Sequence, residues 1–400
     1  MTDTLSAGAL LPDPEPADVR YTIISVDDHV VEAADTFTGR VPQRFADDAP
    51  KVVLTDTGDE AWVFDGVTYV QLGLNAVVGR NEAGEHGQEP TRFDQMRRGC
   101  WDPDARIADM DLNGVWASLN FPSLITGFCG TVYSRASDPQ LGHAVMQAWN
   151  DWIYERWYQP YPERIIPLGI TWLVDPQLAA AEIRRNAARG FRAVSLPEQP
   201  HLLGLPSLHS GYWDPVIAAC VETDTVVCLH VGSSGVADRA PDAPGSVSGT
   251  LFSALSLSAC VDWLWSGIPV RFPGVKIAMS EGGIGWVPML LDRLDYIIER
   301  ARFGRVDWMA TDIWPAEVLQ RNFWFCTIDD PSMLPCRERI GVDRIMLEVD
   351  YPHGDSTWPD TQAIVDERFG GFPADEVRKM THENAAKLYR HPLPATCLPR

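Results

Sequence analysis

Short apolar runs rich in β-branched residues recur along this chain of 400 residues, each ending in polar side chains and most followed by a stretch of helical periodicity. Runs at 22–26, 115–119, 165–170, 193–196, 225–229, 275–279, 322–326 and 345–348 predict eight strands. They are continuously apolar instead of alternating, the pattern of strands buried on both faces of a parallel sheet. Eight strand–helix units predict an α/β protein of the (β/α)8 TIM-barrel type, not an open doubly wound sheet. The helices support this. Asp175-Pro176 opens one with a capping carboxylate and a first-turn proline, apolar residues follow at spacings of three and four, and Gly190 ends it. Residues 287–301 are amphipathic, with Leu291, Leu294 and Ile298 on one stripe. Residues 374–389 form a last helix whose HENAAKLY segment is suited to closing the base of the barrel.

Two connections are too long to be plain loops. Residues 30–113 hold a hairpin around Asp65-Gly66 (EAWVFDGVTYV), a polar segment and a helix ending in RIADMDLNG. Residues 231–256 are rich in Gly, Ser, Ala and Pro. Both leave the end of the barrel where strand ends converge, so both are candidate lids. The expected organisation is a Pro/Asp-rich arm at 1–20, lying over the surface or a partner subunit, a single barrel domain at 21–390 with the insertion at 30–113, and a tail at 391–400.

A composition of 45% hydrophobic and 22% charged residues is that of a globular protein and argues against disorder beyond the ends. The formal charge of −22 argues against nucleic acid or an anionic membrane as partner, since both need a basic surface. An anionic small molecule is not excluded, because a local cation dominates its own site. The eight cysteines include no C-x-x-C pair, and several sit in apolar runs, as buried thiols of a reducing compartment do. The N-terminus lacks a basic region followed by an apolar core, and no apolar stretch is long enough for a membrane span, so a cytoplasmic location is expected.

The chemistry is positional. Of nine histidines, His29, His230 and His353 lie at or just after strands one, five and eight, and Asp27 and Asp350 sit at two of the same ends. In a barrel these termini meet at one mouth, so residues distant in sequence can share one ion. Imidazole nitrogens with carboxylate oxygens suit Zn2+, Mn2+ or Fe2+. Alone, each has a blander reading: D-x-H occurs by chance, His230 fits a satisfied core, and Asp350 can begin a turn. At matching strand ends the set reads as a metal site.

VDDHVVE, CLHVGSSG, RFPGVKIAMSEGGIGWVP and EVDYPHGDSTWPD resemble the amidohydrolase-2 family, which includes aminocarboxymuconate-semialdehyde decarboxylase. The resemblance spans 22–388 and implies a (β/α)8 barrel with a divalent metal, Zn2+ foremost, at the C-terminal strand ends. It places the metal ligands on Asp27, His29, His230 and Asp350. Two departures stand out: Val31 replaces the second histidine of the H-x-H found in many relatives, and Glu281 replaces a histidine after strand six. Strand four ends without a lysine, so the carbamylated-lysine bridge of dinuclear relatives is not expected. A second ion would have Glu32, Glu198, His201, Glu281 and His353 to draw on.

Three residues are candidate catalytic groups: Asp350 as ligand or proton acceptor, His353 as proton shuttle or orienting partner, and Glu281 as base, ligand to a second ion or clamp for a substrate amine. Trp172 is the candidate substrate contact. Arg98 and Arg106 read as solvated charges, with a substrate carboxylate as the alternative partner. The function expected from the resemblance is a metal-dependent decarboxylase or hydrolase of a small carboxylated substrate. Two alternatives stand beside it: a subunit of an iron- or manganese-type oxygenase, as in the aminoisobutyrate hydroxylase system, and a non-catalytic metal-binding partner of a paralogous enzyme. A homo-oligomer is expected, or a hetero-oligomer with a paralogous barrel subunit.

Overall fold

A computed structural model describes residues 9–80, 90–300, 307–310, 312–327 and 330–399. Eight parallel strands form its centre: Ile24–His29, Ala117–Phe121, Ile165–Ile166 continued by Leu168–Gly169, Ala193–Ser195, Val226–His230, Ile277–Ser280, Phe323–Thr327 and Ile345–Leu347. Neighbours in chain order are paired, with the third strand interrupted at Pro167. The ring closes where Asp350 N–H donates to the Asp27 carbonyl (2.8 Å) and His29 N–H to that of Tyr351 (2.6 Å). The fold is therefore the expected (β/α)8 barrel, and every expected strand is found within three residues of its position.

The interior is a packed core, not a pore. Ile24, Val26, Leu119, Leu168, Cys228, Ala278 and Met346 fill it, and Ala385, Leu388 and Tyr389 join them from below. Those last three lie on helix Asn384–Tyr389, which plugs the base and brings the Tyr389 hydroxyl 3.6 Å from Cys228 Sγ. The expected helix over 374–389 is continuous but widens to a π-helical turn at Lys379–Glu383. The amphipathic stretch gives helix Val287–Glu299, and its expected last residue, Ala301, lies outside the described residues.

Three helices share one starting device. Asp102-Pro103, Asp138-Pro139 and Asp175-Pro176 each place an aspartate whose carboxylate accepts backbone N–H groups of the first turn. Such a cap contributes about 1 kcal/mol, and proline's missing N–H costs nothing at that position.

The 30–113 connection begins as a three-stranded antiparallel sheet, Lys51–Leu54, Glu60–Phe64 and Val67–Tyr69. Its hairpin turns on Asp65 (φ 49°) and Gly66 (φ 76°), both left-handed as a two-residue type I′ turn requires. The rest of the connection packs against the loop after the eighth strand: Val78 N–H donates to Pro352 O (3.1 Å), and Tyr351 donates to Asp109. Residues 9–20 run along the same surface, with Leu11 N–H on Gly79 O (2.8 Å) and Asp13 paired to Arg97 (2.8 Å); residues 1–8 of the expected arm lie outside the described residues. All eight cysteines are free thiols, six of them buried. Among the described residues no helix is long and apolar enough to cross a membrane.

Candidate metal centre

Strand parity explains which side chains reach the mouth. His230 follows Val226 and Cys228 inward along the fifth strand, as alternate residues must. The first strand departs from this rule. Ile24 and Val26 face the interior, yet Asp27 and His29, of opposite parity, join the cluster above them. Between Ser25 and Asp28 the first strand advances three residues while its neighbour advances two, from Ser118 to Asn120. That bulge re-aims the chain, putting Asp27 and His29 on the inner side. Asp28 turns outward, accepting Ser25 Oγ (2.8 Å) and Tyr351 N–H (3.1 Å).

The four expected ligands are brought together and all are buried. His29 Nε2 lies 3.1 Å from His230 Nε2, 3.2 Å from Asp350 Oδ1 and 3.6 Å from Asp27 Oδ1, while His230 Nε2 is 3.7 Å from Asp27 Oδ1. His230 Nδ1 donates to the Val231 carbonyl (2.7 Å), which leaves its Nε2 lone pair free to bind. Neither carboxylate oxygen of Asp27 accepts a hydrogen bond, while Asp350 is met by the His29 and His353 rings and by Asp355. Buried carboxylates left without donors are costly unless a cation satisfies them, and this nitrogen–oxygen set fits a divalent ion.

Electrostatics agree. Burial, then the charges of Glu348, Glu281 and Asp350, hold Asp27 well above the usual carboxylate range. Burial likewise pushes Glu348 up to about 8 and Asp28 to about 7, the latter opposed by Arg106. Burial lowers His230 to about 4 and His29 well below its ordinary value, so both imidazoles are neutral near pH 7.

Glu281 and His353 join this cluster. Glu281 Oε2 is 3.0 Å from His230 Nε2, and burial followed by the Asp350 and Asp355 charges raises its carboxyl. His353 stacks on His29 (3.9 Å between ring centres), with Nδ1 3.0 Å from Asp350 Oδ1. One potential ligand atom from each of Glu281, Asp350, His353 and Asp355 lies within 4.8 Å of the others. Glu281 (φ 60°) and Asp350 (φ 58°) both occupy the left-handed region, a strain found at functional positions.

Other expectations are corrected. Glu32 is saturated by Ser123 N–H and Oγ, Thr126 Oγ1 and Trp149 Nε1, so it is a core carboxylate with no oxygen left for an ion. His201 is a surface residue 3.8 Å from Asp262, which His209 also contacts. Glu198 is buried and accepts Gly232 N–H (2.9 Å), outside the ligand groups. Trp172 packs edge-on to His143 (5.6 Å) in the hydrophobic core; the rings that meet the cluster are Phe121 and Phe128. Arg106 is not a surface charge but fully buried, donating to Gly99 O (2.8 Å), to Asn120 Oδ1 and to the carbonyl of His29. Arg98 pairs on the surface with Asp102. Sequence reasoning missed Phe128, Asp355 and Glu348; Gly127 and Gly130 around Phe128, and Asp355 two residues after His353, were the available signals.

A closed parallel barrel with imidazoles and carboxylates converging at its strand ends defines a metal-binding barrel of the amidohydrolase type. The chain belongs to the amidohydrolase family (Amidohydro_2), whose model matches residues 13–391. It is 24% identical over 269 residues, 65% of this chain and 69% of the other, to 2-amino-3-carboxymuconate-6-semialdehyde decarboxylase of Dictyostelium discoideum. Among solved structures, it resembles an amidohydrolase of Mycobacterium avium subsp. paratuberculosis (TM-score 0.72, 22% identity, 93% of this chain and 100% of the other). It also resembles 5-carboxyvanillate decarboxylase of Novosphingobium aromaticivorans, complexed with manganese and 4-hydroxy-3-methoxy-5-nitrobenzoic acid (0.67, 21%, 94% and 99%). A third is dihydroxybenzoic acid decarboxylase of Polaromonas, with manganese and 2-nitroresorcinol (0.60, 14%, 93% and 97%). At these identities the structural likenesses establish the shared fold.

Proposed function

We propose that this protein is a divalent-metal-dependent decarboxylase acting on a small carboxylated, conjugated or aromatic substrate. The observation that carries this reading is the convergence of Asp27, His29, His230 and Asp350, with both carboxylates buried and that of Asp27 without a hydrogen-bond donor. These four would hold the ion, which when bound supplies a positive charge to anchor substrate oxygens. The named relatives support carboxylate loss as the reaction, and the manganese in two similar structures favours Mn2+ beside the Zn2+ expected from the sequence. Departure of CO2 leaves a carbanion that must take up a proton. Glu281, Asp350 and His353 are the titratable groups at the mouth placed to deliver it. A substrate with a delocalised system spreads that negative charge, which is why a conjugated acid is favoured.

One observation favours a second reading, a two-ion centre of the kind an oxygenase subunit would use. Asp27, Glu281, Glu348, Asp350 and Asp355 gather around one mouth, and among the described residues none of the five pairs with Lys or Arg. With one dication, some of these carboxylates stay protonated; a second ion would let more of them ionise. Metal analysis of the purified chain, with CO2 release measured on a panel of carboxylated phenols, separates the readings. One equivalent of Mn2+ or Zn2+ with CO2 release abolished by Asp350→Asn is the expected result. Two ions including iron, or full turnover by metal-replete Asp350→Asn, would sink the one-ion decarboxylase.

A further inference from the structure

After the second strand the chain reads P-S-L-I-T-G-F-C-G-T, and its backbone does something unusual at the phenylalanine. Phe128 has φ 61° and ψ −36°, between Gly127 (φ 65°) and Gly130 (φ 89°). A side chain with a Cβ is strained there and persists only when its surroundings leave no alternative. Here they leave none. The Phe128 carbonyl accepts Ser195 Oγ (2.8 Å), a Cβ on Gly127 would meet Thr131 Oγ1 at 2.2 Å, and one on Gly130 would meet the Thr171 carbonyl at 3.2 Å. Two glycines and a hydroxyl from the fourth strand thus hold one phenylalanine in a conformation it does not favour.

The result is a ring over the cluster. Phe128 lies 4.7 Å from the His230 ring at 31° and meets His29 edge-on at 5.9 Å, while His353 stacks on His29. Phe128 is half-buried, unlike Phe121 beside it, which is fully enclosed. It is therefore a partly exposed aromatic residue whose ring contacts a candidate ligand.

We propose that Phe128 is the specificity-determining wall of the site, the surface against which a flat, conjugated acid lies while its oxygens face the ion. The inference rests on the decarboxylase reading for its substrate class but not for its test. A planar ring stacked on Phe128 gains attraction that an aliphatic wall of similar bulk does not provide, about two- to tenfold in affinity. Non-aromatic anions gain nothing from it.

The test uses the full-length protein loaded with Mn2+ and two ligands measured by calorimetry: 4-hydroxy-3-methoxy-5-nitrobenzoic acid as the flat probe and oxalate as the non-aromatic one. Phe128→Leu is expected to weaken the flat probe about two- to tenfold, leave oxalate unchanged and retain the metal. Phe128→Tyr is expected to restore the flat probe. An unchanged ratio of the two affinities in Phe128→Leu would overturn the proposal, as would loss of metal from that variant, which would make the ring a packing element for His230. No saturable binding of the flat probe to the wild-type protein would overturn it too. Intact selectivity without CO2 release would count against the decarboxylase reading alone.

Discussion

Arg106 is the cation on which the underside of the candidate metal centre rests, and its removal should be felt in stability and, on the proposed reading, in metal binding. Its guanidinium is fully buried and donates to three acceptors: the Gly99 carbonyl, Asn120 Oδ1 and the carbonyl of His29. It lies 4.2 Å over the Tyr351 ring, one residue from Asp350, and it opposes the upward push of burial on Asp28. Arg106→Met keeps most of the stem but strands those acceptors at about 1 kcal/mol or more each, so about 3 kcal/mol is the floor. Losing the cation that opposes the burial of Asp28 brings the expected loss to about 3–5 kcal/mol. Arg106→Lys should fall between, because one ammonium cannot serve a three-way planar fork or stack flat on a ring. Guanidinium unfolding of the metal-free protein, followed by tryptophan fluorescence, gives the stability loss, and competition with a chelator gives the metal affinity. A loss well below about 3 kcal/mol in Arg106→Met, with metal affinity unchanged, would refute this account.

Three more outcomes are expected. Asp27→Asn should retain the fold but lose metal to a chelator at least tenfold more readily; retention equal to wild type would remove Asp27 from the ligand set. Glu32→Leu should destabilise by about 2–4 kcal/mol, since it orphans buried donors from Ser123, Thr126 and Trp149, while metal content stays unchanged. A fall in stoichiometry would show that Glu32 does serve the centre. In the metal-free protein, stability should decline between pH 6.5 and 8. Burial raises the carboxyls of Asp28 to about 7 and of Glu198 and Glu348 to about 8, so the folded chain holds protons there that the unfolded chain has released. His230, lowered to about 4, works in the opposite direction, but only below its ordinary value of 6.5. Saturating Mn2+ should flatten the decline, and a thermal midpoint that rises over this window without metal would contradict it.

The strands were legible because burial on both faces writes each one as an apolar run, and the site followed because barrel strands all end at one rim. The Asp27–His29 pair was found by motif, yet strict alternation from Ile24 and Val26 would have sent Asp28 inward instead. Only the bulge between Ser25 and Asp28 gives the observed aim, and a bulge depends on the neighbouring strand. Glu32 and Trp172 misled for a related reason. A carboxylate just past a ligand motif looks available until three donors from the loop after the second strand and one from a later helix are seen to hold it, and a tryptophan after a strand looks like pocket lining until a helix covers it. Arg106 looked like a surface charge because nothing in RIADMDLNG announces that its three acceptors lie 7, 14 and 77 residues away. Phe128 carried no signal of its own, since its role comes from a backbone angle.

The seam between the first and eighth strands sets a timetable for the molecule's birth. Asp27 and His29 leave the ribosome well before Asp350, which seals against Asp27, and Tyr389, which stoppers the base. Until then the early ligands have neither their partner carboxylate nor a closed barrel around them. A growing chain therefore presents no finished cage to the cell's metals until the eighth strand has been made. A cation held by the proposed ligands would be drawn from the metals present once the barrel has closed, so the same gene expressed under different metal supply should yield differently loaded protein.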